Sequence, residues 1–130
     1  MNLIKREFLS HDQYTGCFCM TFDDYFTQDV VECYKNAIDQ IGSYVSLDGM
    51  GGPTIDKVHF NGKRAYTNTF PISIAMNQQR FFAEFDRVIA KTNELLEQKK
   101  KFELEEMEKA AKEREEIAAK VKDINDSIKL

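Results

Sequence analysis

Five residues near the middle of the chain, Lys57, His59, Arg64, Tyr66 and Asn68, bring an ammonium, an imidazole, a guanidinium, a phenol and an amide into one short stretch. Cations beside aromatic rings can hold a phosphate and stack a base, so this set reads as a candidate ligand face. Just before it, Gly51 and Gly52 close the run Gly49-Met50-Gly51-Gly52, where small residues let backbone amides approach an anion. The run follows a helical pattern and precedes a strand pattern, the reverse of a phosphate loop, and it lacks Gly-Lys-Ser/Thr. A connecting loop is the simpler reading.

A second set is Cys17, Cys19 and Cys33 with His11 nearby. Thiols and an imidazole are zinc ligands, but Cys-x-Cys is not the spacing of a zinc knuckle, and cysteine is common in ordinary cores. No metal and no cofactor is assigned. His-Glu-x-x-His, Gly-x-Ser-x-Gly and Cys-x-x-Cys are all missing from the chain. With His11 and His59 as the two histidines, acid–base chemistry would lean on Asp23, Asp24, Asp48 or Asp56. A small enzyme without a recognisable motif is the weakest reading, and a non-enzymatic protein the preferred one.

These side chains need elements to position them. Asn61-Gly62 between Thr54–Phe60 and Lys63–Phe70 predicts a two-residue hairpin turn. That turn sets Phe60 against Lys63, His59 against Arg64, Val58 against Ala65 and Lys57 against Tyr66. Val58, Phe60 and Ala65 then share a core-seeking face, while Lys57, His59, Arg64, Tyr66 and Asn68 share the other. A first hairpin is expected from Leu3–Leu9 and Cys17–Phe22, with Phe18, Met20 and Phe22 packed and Cys17, Cys19 and Thr21 on the opposite face.

Thr27 predicts a helix N-cap, followed by Val30, Tyr34, Ala37, Ile38, Ile41 and Val45 at three- and four-residue spacing. Gly42 weakens the end of this helix, and the glycines and proline between Ser46 and Pro53 predict a loop. From Ile72 to Leu130 neither glycine nor proline occurs, and Ala, Glu, Lys, Leu and Met dominate, which predicts helix to the end. Its first part is Phe-rich on one side, through Phe81, Phe85, Val88, Thr92, Leu95 and Phe102. Farther on, Met107, Arg114, Val121 and Ile128 recur every seven residues, with Ala110, Ile117 and Ile124 three residues after the first three of them. That is a thin heptad seam. Continuing the Phe102 row by seven reaches Lys109 rather than Ala110, so a skip or kink is expected between Gln98 and Glu106. Glu97–Lys101, Glu105–Lys109, Glu108–Lys112 and Glu116–Lys120 are spaced to form ion pairs along the helix.

Composition bounds the rest. A chain of 130 residues with 42% hydrophobic and 31% charged residues folds, and is long enough for one modest domain plus an extension. Residues 1–71 hold six Lys/Arg against nine Asp/Glu, and residues 72–130 twelve against thirteen, so neither half carries a field of one sign. That argues against a wholly basic DNA-binding face and against an acidic DNA mimic. Charges near the start leave no signal-peptide core and no apolar run spans a bilayer, so a cytoplasmic protein without membrane contact is expected.

The sequence therefore predicts an α+β fold, a small antiparallel sheet of two hairpins packed on a helix and followed by a long coiled-coil-like C-terminal helix. Residues 1–96 form the small domain, including the start of the long helix, and 97–130 the charged extension. The preferred function is an oligomeric binding or adaptor protein, a dimer or higher homo-oligomer, able to act as an inhibitor or regulator of a protein partner. Phe102, Met107, Ala110, Ile117, Val121, Ile124 and Ile128 are its expected oligomerisation residues. The alternative is a nucleotide or nucleic-acid binder that uses Lys57, His59, Arg64, Tyr66, Asn68, Gly51 and Gly52.

Overall fold

The structure, a computed structural model, describes residues 1–42 and 51–128. The expectations for Val45, Asp48, Gly49 and Met50 lie outside the described residues. The fold is α+β, and the chain divides into two compact units, Met1–Leu96 and Glu97–Leu130.

In the first unit, β1 (Leu3–Ser10), β2 (Thr15–Phe22), β3 (His59–Asn61), β4 (Arg64–Tyr66) and β5 (Phe70–Pro71) make one antiparallel sheet. The strand order is β1-β2-β4-β3, and β5 joins the start of β2 on the side that β4 occupies farther along. The Asp12 carboxylate tightens the β1–β2 turn by accepting bonds from the Tyr14 and Thr15 amides at 2.7 and 2.9 Å. Gly16 is needed there for space: a Cβ would strike the Leu9 carbonyl and the tip of the Phe8 ring.

Alternation along β2 decides the layers. Phe18, Met20 and Phe22 face a core that they share with Phe70 and Ala65 and with two helices, α1 (Gln28–Ile41) and the start of α2 (Gln79–Ser127). Helix α1 opens on the Thr27 hydroxyl, which accepts from the Val30 amide, and buries Val30, Cys33, Tyr34, Ala37 and Ile38. It ends at Gly42, whose φ of 82° admits the bond from its amide to the Ile38 carbonyl at 2.7 Å. The start of α2 contributes Phe81, Phe85, Val88, Ile89 and Thr92. Burying these aromatic and aliphatic side chains, at about 1.5–3 kcal/mol each, is the main force holding the unit together. At the sheet edge a bulge at Ile4 keeps Leu3 facing the core while Lys5, Glu7 and Leu9 turn to the other side. Arg6 pairs with Asp86 and lies 5.0 Å from the centre of the Phe82 ring, joining the edge strand to α2.

The second hairpin departs from its expected register. His59 faces Tyr66, Phe60 faces Ala65 and Asn61 faces Arg64, so the turn is Gly62-Lys63, one residue later than Asn61-Gly62. Gly62 is left-handed at φ 64°, and no described non-glycine residue has positive φ, whereas an Asn61-Gly62 turn would need it at both residues. Tertiary bonds fix the choice: the Lys63 carbonyl accepts from the Phe22 amide at 2.8 Å, and the Gly62 carbonyl from the Phe26 amide at 2.9 Å. The slip moves each pairing by two positions, so the side-chain faces survive it. Strand β3 is also shorter than expected, because Ile55–Lys57 forms a 3-10 turn, held by the Tyr34 hydroxyl donating to the Ile55 carbonyl at 2.6 Å.

Helix starts later than the sequence suggested: Ile72–Asn77 is a 3-10 segment, and α2 begins at Gln79. Within the second unit, every described residue from Lys100 to Ile128 is exposed. The helix is unbroken between Gln98 and Glu106, where a skip or kink was expected, and a skip in the seam is compatible with that continuity. The ion pairs expected at Glu97–Lys101, Glu105–Lys109, Glu108–Lys112 and Glu116–Lys120 do not close. Among the described residues, the ion pairs along α2 are Glu84–Arg87 and Lys91–Glu94, each three residues apart. Among the described residues, no helix is long and apolar enough to cross a membrane.

Candidate functional site

The helices pack on one face of the sheet, and among the described residues the opposite face is built from the strands, with His11 and Thr69 beside them. Strand register places them in rows. Glu7, Cys19, Tyr66 and His59 cross four strands in one row, and Lys5, Thr21, Arg64 and Asn61 form the next. Cys17 sits beside Leu9 in a third. Cys19 is 0% exposed and Cys17 4%, because small thiols on the central strand lie under the longer side chains of the flanking strands. Both cysteines thus face away from the helices, as their spacing predicts, and are more deeply buried than a half-open face implies.

Several expected ligand residues meet here. His59 stacks on Tyr66 with ring centres 5.5 Å apart and planes 18° apart. Hydrogen bonding to the Tyr66 side chain raises the Arg64 guanidinium above its ordinary pKa, with a smaller contribution from the Glu7 carboxylate. Glu7 is also paired with Lys5 at 3.2 Å. The face is therefore zwitterionic, with a carboxylate set among its cations, and suits a polar partner of mixed charge better than a polyanion.

Three expected ligand residues are placed differently. The Asn68 amide is a local clamp: its oxygen accepts from the Thr54 amide at 2.8 Å and its nitrogen donates to the Gly52 carbonyl at 3.2 Å. Gly52 is buried and takes part through that carbonyl, an acceptor with nothing to offer an anion. Lys57 belongs to the 3-10 turn rather than to the strand. Gly51 is exposed with φ 75°.

Two hollows flank His59. One of about 430 Å³ lies on the open face against Leu9, His11, Cys17, Tyr66 and Thr69. The other, about 290 Å³, lies between α1 and β3 and is lined by Val31, Tyr34, Lys35, Ile38 and Phe60. Sequence reasoning placed neither, since both depend on how α1 and residues 67–69 pack against the strands.

Chemically, the closest thiol–imidazole contact is His11 Nε2 to Cys17 Sγ at 3.3 Å. Burial, with the neighbouring Cys19, pushes the Cys17 thiol up, so it stays protonated near neutrality, the opposite of what a nucleophile or metal ligand needs. Cys33 sits on α1, the core side, away from Cys17 and Cys19. Among the described residues, no three His, Cys, Asp or Glu side chains converge as a metal site would require. Asp23 is engaged by the Asn2 amide at 2.7 Å, which lowers its pKa, and so serves the chain end.

The second unit contributes a different surface. Phe102, Met107, Ile117, Val121, Ile124 and Ile128 are each at least half exposed, from 50% at Val121 to 69% at Met107, and Ala110 is exposed among them. Leu104, on the flank of the seam, is 61% exposed and adds to the apolar stripe.

No protein-family model matches the chain, and neither the curated proteins nor the solved structures compared with it give a match.

Proposed function

We propose that this chain is a non-enzymatic, oligomeric binding or adaptor protein that assembles through residues 97–128 and offers the open face of its sheet to a protein partner. One observation carries the reading: the apolar residues of the distal heptad seam are all exposed in the single chain. Exposed large apolar side chains on one helical stripe cost free energy in water, and an isolated helix lacking tertiary contacts is only marginally stable. Association of such stripes removes both costs.

The preference for a non-enzyme rests on the open face, whose thiols are buried, with the pKa of Cys17 raised, and whose imidazoles lack a carboxylate–nucleophile partner set among the described residues. Regulation of a partner by occlusion fits a small rigid face of mixed charge. The reading is tested by thermal unfolding over a hundredfold range of protein concentration. An associating chain unfolds at higher temperature as concentration rises, and the Ile117→Glu/Ile124→Glu variant loses that dependence. A midpoint independent of concentration in the unaltered chain contradicts the proposal.

A second reading, a nucleotide or nucleic-acid binder, draws on the His59–Tyr66 stack beside Arg64. It expects nucleotide-induced thermal stabilisation that Arg64→Ala and Tyr66→Ala abolish, and a panel of nucleotides without effect removes it.

A further inference from the structure

The seam has a direction, and its flanking charges choose it. Met107, Arg114, Val121 and Ile128 form one seam row and Ala110, Ile117 and Ile124 the other. Glu106, Glu113, Lys120 and Ser127 flank it on one side, and Leu104, Ala111, Ala118 and Asn125 on the other, all of them exposed. From this asymmetry we infer that residues 103–128 pair with the same segment of a second copy in antiparallel orientation, with Arg114 level with Ile117 of the other copy. The inference rests on the reading of this helix as an assembly element and adds its orientation and register.

In a parallel pair the two flanks face each other. Glu106 would then meet Ala111, Glu113 would meet Ala118 and Lys120 would meet Asn125, so no charge finds its opposite. Arg114 would stand directly across the seam from its own copy, a like-charge contact at a buried position. In an antiparallel pair each flank faces itself. Glu113 then lies against Lys120 of the second copy, and the two-fold axis makes the contact twice. On the other edge Ala111 meets Ala118, also twice, and small side chains there let the helices approach closely.

Charge also selects the register. Sliding the antiparallel pair by one heptad in one direction sets Lys120 against Lys120, and in the other Glu113 against Glu113. The alignment between them leaves no like-charge contact on that edge. It also overlaps the segment end to end, with Glu103 of one copy level with Ile128 of the other, over roughly 39 Å at ~1.5 Å per residue. Within it Met107 packs on Ile124 and Val121 on Ala110, so each seam layer has an apolar member.

The test uses the full chain. Heavy- and light-isotope preparations are mixed, treated with a carbodiimide that joins carboxylates to amines, and digested for mass spectrometry. A mixed-isotope link between Glu113 and Lys120 is expected. In parallel, dissociation constants are measured by sedimentation equilibrium at low salt for the unaltered chain, E113K, K120E and E113K/K120E. Each single reversal is expected to weaken association by about tenfold, since two attractive contacts become repulsive, and the double variant to restore it. An assembled chain that lacks the interchain link, or that is indifferent to both single reversals, overturns the antiparallel arrangement while leaving assembly standing. A chain monomeric at high micromolar concentration removes both.

Discussion

The His59 imidazole lies over the Tyr66 ring, 5.5 Å between centres, directly across the β3–β4 pair, so the open face of the sheet carries a preformed aromatic platform beside Arg64. The pair is held by strand register rather than by burial, since His59 is exposed and Tyr66 half-buried. Its removal therefore touches the surface and spares the core. His59→Ala and Arg64→Ala are each expected to change unfolding free energy by no more than about 0.5 kcal/mol in urea denaturation. A loss of partner binding in these variants then reports contact rather than misfolding.

Tyr34 differs in kind. Its hydroxyl donates to the Ile55 carbonyl at 2.6 Å inside the core, and its ring meets Phe60 edge-on at 4.9 Å. Tyr34→Phe keeps the ring and removes one of two bonds to the Ile55 carbonyl, which retains the Val58 amide at 3.4 Å, so a loss of about 0.5–1.5 kcal/mol is expected by chemical denaturation. Burial, with the charge of Asp56, raises the Tyr34 phenol far above its ordinary value of 10.0. A raised folded pKa means stability that is fully present below pH 10 and lost as pH climbs beyond it. Tyr34→Phe should accordingly blunt the alkaline fall of the unfolding midpoint, followed by circular dichroism.

Much of this architecture could be read from residue order. The period-two pattern of Phe18, Met20 and Phe22, the Thr27 cap and the Val30–Ile38 stripe each carry enough local signal to place an element and its buried face. What could not be read was set by contacts distant in sequence. The turn moved to Gly62-Lys63 because the Phe22 and Phe26 amides seek its carbonyls. Pro71, an unpromising strand residue, pairs with Thr15 because it sits where no further ladder bond is required of it. The candidate site was legible to the same degree: His59, Arg64 and Tyr66 share a face through parity alone, whereas the role of Asn68 as a clamp on Gly52 and Thr54 depends on a loop path that local pattern does not reveal.

The β1–β2 turn should respond to acid. Asp12 is pulled below its ordinary pKa by bonds from Tyr14, Thr15 and the Thr15 hydroxyl, with a smaller contribution from the charge of His11. A lowered folded pKa contributes stability above the unfolded value of 3.8 that disappears as pH falls through the folded one. The difference in unfolding midpoint between the unaltered chain and Asp12→Ala is therefore expected at pH 6 and should shrink below pH 4. A difference that grows toward acid would contradict this role.

Thiol chemistry should be quiet in the folded protein. Cys17, Cys19 and Cys33 are buried and free, at 4%, 0% and 6% exposure. A chromogenic disulfide reagent at pH 7 is expected to titrate fewer than one thiol per chain before unfolding and all three in denaturant. Rapid modification of Cys17 in the native state would mean that its contact with His11 activates it.

The most direct check on assembly through the distal helix is the mass of the unaltered chain by sedimentation equilibrium, beside the Ile117→Glu/Ile124→Glu variant. The account predicts a whole-number multiple of 15.1 kDa for the first and a shift to 15.1 kDa for the second. A single-chain mass for the unaltered protein at high micromolar concentration, or a multimer that both glutamates leave intact, would contradict it.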